Sequence, residues 1–167
     1  LHAAQTAITG HSRGGKTVLL AGATDDRIAV INDNASGAGG SAVFRWVGAG
    51  GETVRLVRVF PYWFGADMES YVDREELLPF DQHALLAALA PRPVLMTYAL
   101  DDRWSNPEGM VQSAWAAREV YRFLGAQNEL VFHFRAGEHA HAPEDWRVLL
   151  DFLEWKWKGR PPRADYN

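Results

Sequence analysis

Gly10-His11-Ser12-Arg13-Gly14-Gly15-Lys16 is flanked by a short β-prone run, Ala7-Ile8-Thr9, and by a helix-prone one, Thr17-Val18-Leu19-Leu20-Ala21. A serine with a glycine two places before and two places after it, at a strand-to-helix junction, has the G-x-S-x-G layout of a nucleophile elbow. Such a turn strains the serine backbone and lifts its hydroxyl clear of the chain. Glycines are expected at 10 and 14 because side chains there would collide with the adjoining strand and helix. A glycine-rich helix cap shares the same five residues, so the remainder of the chain has to decide.

Outward from the elbow, strand and helix patterns alternate. A helix is expected to about Gly22, stopped by Gly22-Ala23-Thr24-Asp25-Asp26. Arg27-Ile28-Ala29-Val30-Ile31 reads as a buried parallel strand, followed by the glycine-rich loop 32–40. Residues 41–81 lack periodicity and are rich in aromatics (Trp46, Phe60, Tyr62, Trp63, Phe64, Tyr71), an irregular excursion expected beside the site. Asp81 caps a helix over 82–89, Pro91 and Pro93 lead into the strand 94–98, and an amphipathic helix over 107–124 ends at Gly125. A strand over 129–134 and a helix from Pro143 or Glu144 to about Lys158 follow, with 160–167 expected as a disordered tail. Alternating units of this kind predict an α/β fold, a mainly parallel sheet with helices on both faces.

Chemistry-bearing residues fall at the carboxyl ends of three of these strands, where such sheets place ligands. Ser12 follows the first, Asp101 and Asp102 the strand ending near Tyr98, and His139 and His141 the strand ending near Phe134. Serine, acid, histidine is the chain order of an α/β-hydrolase triad. The chemistry needs all three types, since an imidazole takes the serine proton and a carboxylate fixes the imidazole tautomer and stabilises its charge. Lone loop aspartates and histidines are usually solvated, and at most one of the two histidines can be the base.

Composition agrees with a globular enzyme. The 167 residues are 47% hydrophobic and 23% charged, enough for one core and one domain. A net charge of −4 argues against a nucleic-acid or anionic-membrane partner. The absence of cysteine removes disulfides, thiolate catalysis and cysteine-based zinc sites together, while leaving the compartment open. No run approaches the roughly 18 apolar residues of a membrane span. The chain opens on Leu1-His2-Ala3-Ala4, without methionine or signal peptide, almost at the elbow strand. The expectation is therefore that residues 1–159 form the C-terminal part of a single α/β-hydrolase domain whose N-terminal strands, and any export signal, are missing from this chain.

Several stretches together resemble bacterial glucuronoyl esterases: the elbow 10–16, Asn34-Ala35-Ser36-Gly37-Ala38-Gly39-Gly40, Gly51-Glu52-Thr53-Val54, Phe60-Pro61-Tyr62-Trp63-Phe64, Leu78-Pro79-Phe80-Asp81-Gln82-His83, Ala90-Pro91-Arg92-Pro93 and Gly137-Glu138-His139-Ala140-His141. The resemblance covers nearly the whole chain, and its serine-arginine-x-glycine-lysine element is far more specific than a bare elbow. It implies a serine esterase, without cofactor, that cleaves the ester between (4-O-methyl)glucuronic acid of xylan and lignin alcohols through an acyl-enzyme. It also implies a secreted or periplasmic protein acting in lignocellulose degradation. Ser12 is then the nucleophile, Arg13 stabilises the oxyanion with its guanidinium, and Lys16 hydrogen-bonds the sugar hydroxyls. Asp102-Arg103-Trp104 matches the bacterial Asp-x-Trp pattern, which assigns Asp102 over Asp101 as the acid. Trp104 would flank the uronic acid, and Glu52 would bind its hydroxyls.

Against the fungal branch two departures stand out. Ala35 occupies the position of the fungal catalytic glutamate, and His11 and Ala142 replace the cysteines beside the fungal nucleophile and histidine. General hydrolase logic favours His139 as base, whereas the family's His-x-His pattern favours His141, which is preferred on sequence grounds. Three other readings stay open. An acetyl xylan esterase or another hydrolase of the fold would share the triad without needing Lys16, Glu52 or Trp104. A metal enzyme could use His139 and His141 as ligands, although no further clustered ligand accompanies them. An inactive fragment with a binding role is the third.

Overall fold

A computed structural model of the chain describes residues 5–48 and 50–167. Leu1–Ala4, on which the expectation of missing strands rests, lie outside the described residues. Four strands, β1 (Ala7–His11), β2 (Val30–Asn34), β3 (Val94–Ala99) and β4 (Leu130–Arg135), pair in that order and all in parallel. The register sets His11 beside Asn34, Asn34 beside Thr97, and Ala99 beside Arg135. The carboxyl ends of the four strands therefore line up along one rim, where the loops carrying Ser12, Ala35, Asp102 and His139 meet.

Among the described residues the helices α1 (Arg13–Thr24), α2 (Leu56–Val59), α3 (Gln82–Ala87) and α4 (Pro107–Phe123) lie between the strands, and α5 (Pro143–Lys158) follows the last of them. Alternation along the strands sorts the core into two halves. Ile31, Met96, Tyr98, Leu130 and Phe132 pack with Leu19 of α1, Leu86 of α3, and Met110, Ala114 and Tyr121 of α4. On the opposite face Val30, Leu95 and Val131 pack with Val148, Leu149 and Phe152 of α5. Helices thus cover both faces, as the sequence pattern predicts. Burying each of these larger side chains is worth roughly 1.5–3 kcal/mol, so the sheet is held from both sides.

Two expectations are corrected. β2 runs to Asn34 instead of ending at Ile31, because its polar residues are paired within the sheet: Thr9 Oγ1 donates to Asn32 Oδ1 (2.7 Å) and Asn34 Nδ2 donates to Thr97 Oγ1 (2.7 Å). The tail 160–167 is docked instead of disordered. Asp151 Oδ2 accepts from the backbone N–H groups of Arg163 (2.8 Å) and Ala164 (3.0 Å), and the Tyr166 hydroxyl donates to the Val148 carbonyl (2.9 Å) while its ring joins the α5 half of the core. The aromatic excursion contains α2 and three 3-10 turns around a small core of its own, Phe44, Val54, Val57, Val72 and Leu78.

Candidate active site

Ser12 occupies the strained position that the elbow requires, at φ 57° and ψ −123°. A non-glycine residue in that region costs about 1–3 kcal/mol and persists only where its surroundings enforce it. Here the Ser12 N–H donates to the Asn34 carbonyl (2.8 Å), and the Gly15 N–H donates back to the Ser12 carbonyl (2.8 Å) as α1 begins. A side chain at Gly10 would collide with the Gly14 carbonyl, as expected. The second close approach is at Gly15, not Gly14: a Cβ at Gly14 meets nothing, whereas one at Gly15 would strike Asp33 Oδ1 and Ser36.

Across the rim, Asp102 Oδ2 lies 2.7 Å from His139 Nδ1. A carboxylate only accepts, so the proton sits on Nδ1 and Nε2 keeps the lone pair of a base. Asp102 is 3% exposed and is also held by Ser105, whose hydroxyl donates to Oδ2 (2.6 Å) and whose N–H donates to Oδ1 (3.3 Å). Burial alone would raise the Asp102 carboxyl, but the hydrogen bonds from His139 and Ser105 bring it below its usual value. The Asp102 hydrogen bond in turn lifts His139 above the ordinary imidazole range, against a smaller opposing effect of burial. The carboxylate thus meets His139 and not His141, the histidine preferred on sequence grounds; His141 lies against Trp146 (ring centroids 4.4 Å apart), and burial lowers its affinity for a proton. Asp101 plays a different part: its carboxylate accepts from the Gly137 N–H (3.1 Å) at the root of the histidine loop.

Lys16 and Glu52 are brought together, though not as free ligands for a sugar. Lys16 Nζ donates to Glu52 Oε2 (2.7 Å), the Ser36 carbonyl (2.5 Å) and the Ala38 carbonyl (2.7 Å). These occupy all three donors of an ammonium group, so an incoming hydroxyl has to share or replace one. Burial pulls Lys16 down and pushes Glu52 up, and their mutual attraction opposes both shifts. Trp104, about half exposed, joins the pair by accepting the Glu52 N–H at its carbonyl (2.9 Å). The Arg13 side chain is exposed, with its guanidinium carbon 5.5 Å from the centre of the Trp63 ring. A cavity of about 580 Å³ opens beside Arg13 and Lys16, walled by Leu20, Tyr62, Trp63 and Phe64.

Beneath this pair lies Asp33, fully buried. Its Oδ2 accepts from Ser36 Oγ (2.8 Å) and from Ser41 Oγ, and burial pushes its carboxyl up to about 6. Tyr98 completes the network by accepting the Gly37 N–H (2.9 Å). The loop whose carbonyls hold Lys16 is thus fixed from below by β2 and β3.

The family model described as "Glucuronyl esterase, fungi" matches residues 1–125. The chain belongs to the glucuronoyl esterase family. A carbohydrate esterase from an unknown prokaryotic organism is 42% identical over 93% of this chain and 39% of its own length. A 4-O-methyl-glucuronoyl methylesterase 1 of Wolfiporia cocos is 33% identical over 84% of this chain and 36% of its own. The fold is that of a solved glucuronoyl esterase from Caldicellulosiruptor kristjansonii, with a TM-score of 0.92 and 41% identity over 96% of this chain and 45% of that one. The chain therefore spans under half the length of these relatives, and its sheet is the α/β-hydrolase sheet of the glucuronoyl esterase family.

Two residues that shape this candidate site escaped the sequence reading. Ser105 lies three positions beyond Asp102, the spacing of a capping turn, and that was a usable signal. Arg135 was not: at the end of β4 it looks like a solvated strand terminus. In the structure it is 7% exposed, bridges both Asp145 carboxylate oxygens (3.1 and 3.0 Å), and donates to the carbonyls of Ala136, Glu138 and Ala140 along the histidine loop.

Proposed function

We propose that the protein is a serine carboxylic-ester hydrolase that cleaves the ester between (4-O-methyl)glucuronic acid of xylan and lignin alcohols, with the lignin alcohol as the leaving group. The observation that carries the esterase part is the pairing of Asp102 with His139 on the same rim as the strained Ser12. In this reaction Ser12 Oγ attacks the ester carbonyl carbon while His139 Nε2 takes its proton. Asp102 holds the Nδ1 tautomer and stabilises the resulting imidazolium. The tetrahedral oxyanion is met by the Arg13 guanidinium and by the Arg13 N–H at the start of α1. Collapse breaks the bond to the alcohol oxygen, which leaves with the proton from His139. Water then repeats the sequence on the acyl-enzyme and returns Ser12.

The uronate part is supported by family membership and by the buried Lys16–Glu52 pair beneath the elbow, which offers a charged, preorganised wall for sugar hydroxyls beside an aromatic-lined cavity. A polymeric plant-wall substrate would place such an enzyme outside the cytoplasm, secreted or periplasmic. The test is turnover of benzyl glucuronate against an aryl acetate, with Ser12→Ala as control. Preferential cleavage of the uronate ester, abolished in Ser12→Ala, is expected. Preference for the acetate would replace this reading with that of an acetyl esterase.

A further inference from the structure

His139 sits in a loop without regular structure, and the rings around it are arranged in a way the triad does not use. The His11 ring lies 4.5 Å from that of His139 and 5.7 Å from that of His141, the latter nearly parallel at 21°. His141 also stacks on Trp146 of α5, again at 21°. His11 is itself anchored: its Nδ1 is 2.6 Å from Asn34 Oδ1, and Asn34 is tied on to Thr97 in β3. A column of flat rings thus runs from α5, through His141, to the residue that immediately precedes the nucleophile. His141 Nε2 is buried with no hydrogen-bond partner, so at that nitrogen the ring contributes a flat surface and no hydrogen bond.

We propose that His141 and His11 are positioning residues that set the His139 ring. Arg135 fixes the carbonyls of the histidine loop from below, but its hydrogen bonds do not determine the rotation of the ring. Asp102 fixes one edge of the ring through Nδ1, and stacking limits its tilt about that bond: off-axis and tilted ring pairs of this kind hold their partners in a narrow range of orientations, each worth about 0.5–1.5 kcal/mol beyond its buried area. His11 relays the position of the β1–β2 rim, where Ser12 lies, to the loop that carries the base. A ring lacking any titratable nitrogen would do the work of His141 equally well. This inference rests on the reading of Ser12 as nucleophile and His139 as base, but not on the uronate specificity.

A fluorophosphonate probe separates the two, because it needs no sugar. Ser12 Oγ forms a bond to phosphorus, the P–F bond breaks, fluoride leaves and His139 takes the serine proton. In the folded variants, checked by circular dichroism, His141→Phe should label within about threefold of the wild-type rate. His141→Ala and His11→Ala should each label at least tenfold more slowly, and their combination little more slowly than either alone. His139→Ala should not label. The proposal is overturned if His141→Phe is as inert as His139→Ala, since imidazole chemistry would then be needed at 141, or if both alanine variants label at the wild-type rate. A wild type that does not label removes the serine reading itself, and the positioning role with it. Labelling that follows the expected order without any turnover of benzyl glucuronate would leave the column standing and remove only the uronate assignment.

Discussion

One carboxylate oxygen separates the two histidines, and the proposal of His139 as base rests on it. Asp102 reaches His139 from a buried turn closed by Ser105, so the pair forms with both partners already oriented. The hydrogen bond raises His139, and the sign of its effect on catalysis follows. The base must be unprotonated, so activity falls as pH drops through a value above the ordinary imidazole 6.5. Asp102→Asn removes the first cause of that shift. It should move the acid limb of kcat/KM to lower pH and reduce kcat by about 10³–10⁴-fold, as loss of the orienting acid does in serine triads. A pH–rate profile of the variant checks both, and an unmoved acid limb would detach Asp102 from the base. On linkage grounds the same pair stabilises the folded chain most below the unfolded imidazole value, and that contribution fades as pH rises through the higher folded one.

The histidine loop shows what elements contribute. It has no helix or strand of its own, yet Arg135 spans it from the end of β4 to Asp145 in the first turn of α5. Asp145 also accepts the Ala142 N–H (2.7 Å), closing the loop where α5 starts. Arg135→Met leaves Asp145 buried without its partner and strips donors from three carbonyls. The expected loss is about 3–5 kcal/mol, the usual consequence of breaking a buried ion pair on one side. That corresponds to roughly 6–20 °C in Tm for a chain of this size. Thermal unfolding followed by circular dichroism measures it, and a Tm within 2 °C or so of wild type would show that the bridge is not a structural staple.

These cases also mark how far the sequence could be read. The sheet, the elbow and the helices on both faces were legible because apolar periodicity and glycine or proline stops are local properties of the chain. Ser12 stood out because it follows β1 directly, whereas strand position left Asp101 and Asp102 together and only the family resemblance singled out Asp102. The extension of β2 was hidden, because Asn32, Asp33 and Asn34 look like a turn until Thr9 and Thr97 arrive from other strands to pair with them. His139 could not be separated from His141 by spacing, since two residues apart in an irregular loop gives no rule for direction. Lys16 and Glu52, 36 positions apart, were each identified singly, but nothing local could show that they satisfy one another. The tail was misjudged because its composition is that of an exposed end, while Asp151 and Val148 on α5 supply its partners.

At the scale of the whole molecule, a four-stranded parallel sheet gathers the elbow, the acid turn and the histidine loop on one rim, and two half-cores hold that rim rigid. The central claim is that this rim passes a uronic acyl group through Ser12. The most direct measurement is rapid acid quench of the protein with benzyl glucuronate, followed by peptide mass spectrometry. The account predicts a glucuronoyl ester on the Ser12 peptide that is absent in Ser12→Ala and in His139→Ala. Release of glucuronic acid by Ser12→Ala at an undiminished rate, or an acyl group carried on any other residue, would contradict it.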